Sequence, residues 1–224
     1  MAYNRKDRFF KKAKEEGFRS RAAYKLQEIS KTFKILKPGL LVLDVGCAPG
    51  SWLQVISKEV GQHGKVIGVD LEPISHFSQK NIIFIEGDIR EEITVQRILH
   101  ALGRKVDVVV SDMAPHLSGI KFQDHYNSYE LALQALQLCH LVLKEGGNFV
   151  TKIFPGEDLE TLKQKLKESF APIKEFIPGA TRKTSTELYL VAKGFKNGRQ
   201  KMGKGDGGLR GGGLSPFPVL HPRA

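Results

Sequence analysis

Four apolar runs end at or beside an acid: LLVLDV (40–45), KVIGVD (65–70), IIFIEGD (82–88) and VDVVVSD (106–112). A fifth run, NFVTKIF (148–154), carries a lysine in that place. Between the runs lie segments with helical spacing: Ser51–Val60, Glu91–Leu102, Tyr126–Lys144 and Glu157–Phe170. Strand–helix alternation predicts an α/β chain, a parallel sheet with helices on both faces. Continuous Val/Ile/Leu runs fit strands buried on both sides. After the last long helix come IKEFI (173–177), a turn at Pro178-Gly179 and ELYLVAKGF (187–195), with no helical pattern between the two runs. They predict a closing hairpin, with one strand antiparallel to the rest.

Upstream, residues 3–16 form a basic stretch with Phe9 and Phe10 that is compatible with a helix. Ser20 is an expected N-cap for a helix through about Phe33, and Pro38-Gly39 breaks the chain. Downstream, residues 203–213 hold seven glycines in eleven positions. The resulting division is a basic helical extension (1–37), a domain (38–195) and a Gly-rich basic tail (196–224) expected to be disordered.

Composition narrows the class. The 224 residues suit one large α/β domain with short extensions, and 41% hydrophobic with 26% charged residues is ordinary globular usage. No apolar run reaches the roughly 18–20 residues of a membrane span, and the first residues lack a signal-peptide core. Two cysteines, Cys47 and Cys139, make neither a disulfide framework nor a four-ligand zinc site, so a reducing cytoplasm is the expectation.

The net charge of +11 is unevenly placed. Residues 1–37 hold twelve Lys/Arg against four Asp/Glu, residues 38–192 sixteen against nineteen, and residues 193–224 seven against one. Basic ends on a mildly acidic middle attract a polyanion; the plainer reading is charge for solubility.

In open α/β sheets ligands bind beyond the carboxyl ends of the strands. The loop Leu43-Asp44-Val45-Gly46-Cys47-Ala48-Pro49-Gly50-Ser51-Trp52 follows the first strand. Gly46 and Gly50 let backbone pass close to a ligand, and Ser51 is placed to cap the next helix. The spacing is not the dinucleotide G-x-G-x-x-G. Asp44 beside the loop favours a cationic amine and opposes a pyrophosphate. Asp70 is placed for ribose hydroxyls and Asp88 for an adenine amino group. The three acids describe an adenosyl ligand with an amino-acid end and no phosphates, which S-adenosylmethionine satisfies. Trp52, the only Trp, packs either the ligand or the first helix. Cys47 reads as a small turn residue before a nucleophile. His116 is the only histidine expected near the site.

Four further residues stand out: Lys25 on the N-terminal helix, Asp112 in SDMAP, Lys152 in VTKIF and Glu187 in STELYLVAKGF. Taken singly, Lys25 and Glu187 read as ordinary surface charges. Taken with LDVGCAPGSW and FRSRAAYKL, the set resembles the FtsJ/RrmJ family of ribosomal RNA 2′-O-methyltransferases over about residues 1–195, in the family's order.

That resemblance implies a Rossmann-like S-adenosylmethionine-dependent methyltransferase fold, with a mostly parallel seven-stranded sheet and an antiparallel C-terminal strand. It implies a catalytic Lys25–Asp112–Lys152–Glu187 tetrad with Lys152 as proton acceptor, and cofactor contacts at Gly50, Trp52, Asp70, Asp88 and Asp112. No metal is expected. The implied substrate is a uridine in the A-loop of 23S ribosomal RNA on the large ribosomal subunit, modified by a monomer. A tRNA 2′-O-methyltransferase and an inactive RNA-binding assembly factor are the alternatives. Ser51 departs from the second glycine of many bacterial members, and nothing carries over to the tail after Gly203.

Overall fold

The computed structural model describes residues 8–182 and 187–197. The predicted tail from 198 onward, Tyr3 and the motif residues Ser185 and Thr186 lie outside them. Seven strands form one sheet: β1 (Leu41–Val45), β2 (Lys65–Asp70), β3 (Ile82–Glu86), β4 (Val106–Ser111), β5 (Leu143–Ile153), β6 (Ile173–Phe176) and β7 (Leu188–Ala192). Their order is β3-β2-β1-β4-β5-β7-β6, and β7 runs antiparallel to both β5 and β6. The predicted hairpin is therefore present, with its second strand inserted between β5 and its own partner. The strand order reverses between β1 and β4, where a doubly wound sheet opens a crevice.

The helices are α1 (Arg8–Glu15), α2 (Ala22–Phe33), α3 (Ser51–Val60), α4 (Glu92–Leu102), α5 (Lys121–Val142) and α6 (Asp158–Lys167). Two cores sandwich the sheet. Leu43, Val109, Phe149 and Leu190 point to one face, beneath α4, α5 and α6. Val42, Val110, Val150, Tyr189 and Val191 point to the other, where Ala23, Leu26 and Ile29 of α2 and Trp52, Leu53 and Ile56 of α3 cover them. The alternation along each strand decides which side a residue serves. Although charge sets residues 1–37 apart, α2 shares the core of the domain.

Three helix starts differ from expectation. Helix α2 begins at Ala22 with Arg21, not Ser20, in the cap position. Helix α3 is entered through Gly50 in a left-handed conformation, and Ser51 is its first residue, its hydroxyl 2.8 Å from that of Ser20. Helix α5 begins at Lys121 rather than Tyr126 because Asp124 gathers the preceding loop. Its carboxylate accepts bonds from the Ser118 amide (2.7 Å), the Ser118 hydroxyl (2.7 Å) and the Gly119 amide (3.3 Å). Such a side-chain clasp carries no apolar periodicity to read.

Candidate active site

Register brings the tetrad together. Ser111 of β4 lies opposite Thr151 of β5, and Lys152 opposite Tyr189 of β7. Counting outward by twos from Val110, Val150 and Val191, which face α2 and α3, gives Asp112, Lys152, Tyr189 and Glu187. All four thus emerge on one face of the sheet, and α2 lays Lys25 over them.

The contacts form two linked pairs. Lys152 Nζ donates to the Asp112 carbonyl at 2.6 Å and lies 3.1 Å from Asp112 Oδ1. Lys25 Nζ bonds Glu187 Oε1 and sits 5.8 Å from the centre of the Tyr189 ring. The Tyr189 hydroxyl donates to Asp112 Oδ1 at 2.7 Å. Lys152 is only 6% exposed, and the Asp112 side chain 17%. Burial pushes the Asp112 carboxyl up, but the Lys152 and Lys25 cations and the Tyr189 hydroxyl outweigh it and hold the group below the ordinary range. Burial, then the Asp112 and Glu187 carboxylates, push the Tyr189 phenol well above its usual value, so it remains a donor.

On the other side of Asp112 opens a pocket of about 400 Å³ whose lining includes Gly46, Ala48, Asp70, Asp88, Met113 and His116. Gly46 has φ 75°, and a Cβ there would stand 2.4 Å from Met113 Cγ. The loops after β1 and β4 can close on each other only over a glycine. Asp70 accepts the Ala48 amide (2.8 Å) and the Glu72 amide (2.9 Å), which fixes its carboxylate at the pocket wall. Asp88 reaches the pocket but is not free as expected: it accepts from the backbone and guanidinium of Arg90, which hold its carboxyl low. The Arg90 side chain is 65% exposed, so that pair is weakly held.

The remaining candidates sort differently. Trp52 is buried. Its indole N–H donates to the Ala22 carbonyl (2.9 Å) and its ring packs 5.9 Å from Tyr189, so it packs against α2 and backs the tetrad. Neither Trp52 nor Gly50 lines the pocket. Asp44 lies under the loop, fully buried, and neither carboxylate oxygen has a hydrogen-bond partner among the described residues. Burial, then the neighbouring Asp112 and Asp70, push it far up. The Cys47 thiol is raised too, by burial and by Asp44 and Asp70, which leaves it inert as a nucleophile. His116 lines the pocket as expected, but it is not the only histidine nearby. His125 of α5 packs on Phe154, just past Lys152, with ring centres 6.5 Å apart.

Sequence reasoning missed Tyr189. Its signal was present, since Tyr189 stands two residues from Glu187 and so shares its face of the strand. It also missed Arg19, one basic residue among twelve in its segment, for which no local signal exists.

A family model for FtsJ-like methyltransferases matches residues 18–195. Ribosomal RNA large subunit methyltransferase E of Halobacterium salinarum is 44% identical over 191 residues, covering 85% of this chain and 74% of the relative. The enzyme of the same name from Bdellovibrio bacteriovorus is 42% identical over 193 residues, covering 85% and 97%. A Plasmodium falciparum crystal structure assigned as a ribosomal RNA methyltransferase superposes with a TM-score of 0.72 at 34% identity, covering 80% of this chain and 98% of that one. Aeropyrum pernix fibrillarin, solved with S-adenosyl-L-methionine, gives 0.53 at 18% identity, covering 70% and 68%, and bears on the fold alone.

Proposed function

The chain belongs to the FtsJ-like methyltransferase family, and from that premise we propose that it methylates a ribose 2′-oxygen of large-subunit ribosomal RNA with S-adenosylmethionine. The observation that carries the reading is the join at Asp112. One side of this residue borders the acid-lined pocket, and the other holds the buried Lys152 amine.

The pocket fits the cofactor. Among the described residues, Asp70, Glu72, Asp88 and Asp112 line it against the one cation Arg90, so a pyrophosphate is disfavoured and a cationic ligand favoured. Asp70, Asp88 and Asp112 would hold the ligand, while Gly50 and Trp52 shape its loop from behind. S-adenosylmethionine supplies a methyl group on a sulfonium, which leaves as a neutral thioether.

The protein's part is to position the hydroxyl and take its proton. A ribose hydroxyl is a weak nucleophile until the proton departs. Lys152 acts as the base from its neutral form, reached when the Lys152–Asp112 pair releases a proton to solvent, and that amine has two N–H groups and one lone pair. The N–H groups match the Asp112 carbonyl and Oδ1, which leaves the lone pair for the ribose O–H. As the O–H bond breaks, the proton would pass to Lys152 Nζ, leaving the oxygen free to take the methyl group that the bound cofactor would supply from its sulfonium. Asp112 stabilises the resulting ammonium. Lys25, held by Glu187, supplies positive charge beside the developing oxyanion. The basic N-terminal residues and Lys/Arg-rich tail suit a phosphate backbone.

Within this reading the target is a uridine of the 23S A-loop on an assembled large subunit, modified by a cytoplasmic monomer; that detail rests on the family resemblance. Primer-extension mapping of 2′-O-methyls in ribosomal RNA and tRNA from a deletion strain tests it. Loss of one A-loop methyl is expected. A methyl lost only from tRNA would move the substrate, and no lost methyl would leave an RNA-binding assembly factor.

A further inference from the structure

The segment between α1 and α2 is tied to the cofactor loop and its helix. The Arg19 amide donates to Gln54 Oε1 (2.8 Å), Gln54 Nε2 returns to the Gly17 carbonyl (2.9 Å), and the Ser20–Ser51 and Trp52–Ala22 bonds lie beside them. At the centre is the Arg19 guanidinium. Its Nη1 donates to the Pro49 carbonyl (3.0 Å), and its Nη2 to the carbonyls of Ser75 (2.7 Å) and His76 (2.9 Å). Its plane rests on Phe77, 3.5 Å from the ring centre. A cation in a basic segment, where a phosphate contact is the default reading, is here turned inward.

The two loops that Arg19 joins are two walls of the pocket. Pro49 follows Ala48 on one wall, and Ser75 and His76 follow Leu71 and Glu72 on the other. Gly50 completes the arrangement. A Cβ there would meet Phe77 Cζ at 2.6 Å and Arg19 Nη1 at 2.9 Å, with φ at 101°. The glycine thus leaves room for the Arg19–Phe77 stack. Three carbonyls at fixed angles match a planar fork of donors and do not match a single ammonium.

We infer that Arg19 is a positioning residue for the cofactor, a strut that sets the spacing of the two loops enclosing it. The inference rests on the methyltransferase reading for the ligand but not for the strut itself. Arg19→Lys, Arg19→Gln and Phe77→Leu in the full chain test it. Calorimetry with S-adenosylmethionine should show affinity falling about tenfold or more for both Arg19 variants, because charged hydrogen bonds are lost. Lysine should not rescue. Single-turnover rates at saturating cofactor should stay within a few-fold of wild type, and the salt dependence of RNA affinity should not change. Amide exchange at Gly46 and Gly50 in the free protein should quicken in each variant. If Arg19→Gln also lowers the melting temperature, Phe77→Leu, which keeps the cation, carries the test.

Unchanged exchange and cofactor affinity would overturn the strut. A salt slope smaller by roughly 0.7–0.9 with normal cofactor binding would instead make Arg19 a phosphate contact. Faster exchange in a protein whose wild type binds no S-adenosylmethionine would sustain the strut and overturn the methyltransferase reading.

Discussion

Two aspartates on one face of the sheet, Asp44 in β1 and Asp112 after β4, have opposite surroundings. Asp44 lies opposite Gly68 and Val110, neither of which brings a side-chain donor, and its oxygens are unpaired among the described residues. Asp112 lies two residues further out than Val110, where Lys152, Lys25 and Tyr189 converge from β5, α2 and β7. Burial favours the neutral acid at both places, and only the second has partners that reverse it. The difference separates an acid that burial keeps protonated from an acid whose charge is matched by its neighbours.

The hardest break is Lys152→Ala. It should slow methyl transfer by about 10²–10⁴-fold in single-turnover assays while cofactor affinity stays near wild type. Lys152→Arg should not restore the rate, because a guanidinium keeps its proton. An Arg variant within a few-fold of wild type would remove Lys152 as the base and move attention to Lys25 or His116.

Next in size is Tyr189→Phe, which deletes one donor to Asp112 and nothing else. Loss of a hydrogen bond to a charged acceptor should lower stability by about 1.5–3 kcal/mol in urea unfolding. The Asp112 carboxyl should rise toward the ordinary range. An unchanged midpoint would mean that the phenol contributes nothing to matching that charge.

Stability against pH sharpens the comparison, because the two acids act with opposite sign. Asp112 has a lowered folded-state pKa. Its contribution is complete above the unfolded value of about 3.9 and is lost as pH falls through the folded value. Asp44 has a raised one, so the folded state keeps its proton longer and stability falls as pH climbs above about 4. Asp44→Asn should therefore melt above wild type at neutral pH and lose the advantage toward pH 4. Asp112→Asn should melt below wild type at neutral pH, with a deficit that shrinks in acid. Shifts of the same sign in both variants would dissolve the contrast.

The smallest effect lies away from the crevice. Replacing Lys11, Lys12 and Lys14 of α1 by Gln should leave cofactor binding alone and reduce the slope of log affinity against log salt by roughly 0.7 per lost phosphate contact. An unchanged slope would take α1 out of the RNA surface.

The sequence determined the layered sheet, the acids at successive strand ends and the glycine turn, because each is a local pattern that alternation or a turn imposes within a few residues. Through family-specific segments it also marked Lys25, Asp112, Lys152 and Glu187. Tertiary structure decided what those residues do to one another. Lys25 and Glu187 are 162 positions apart, and Lys152 and Asp112 are 40 apart, so only strand order and register bring them together. The same holds for partners that no local pattern shows. Asp88 pairs with Arg90, Trp52 faces helix α2, Asp44 has no donor among the described residues, and Arg19 is drawn inward by three carbonyls. Residue type sets which bonds a side chain can make, but burial and the partners within reach set which bonds it does make, and those belong to the folded chain.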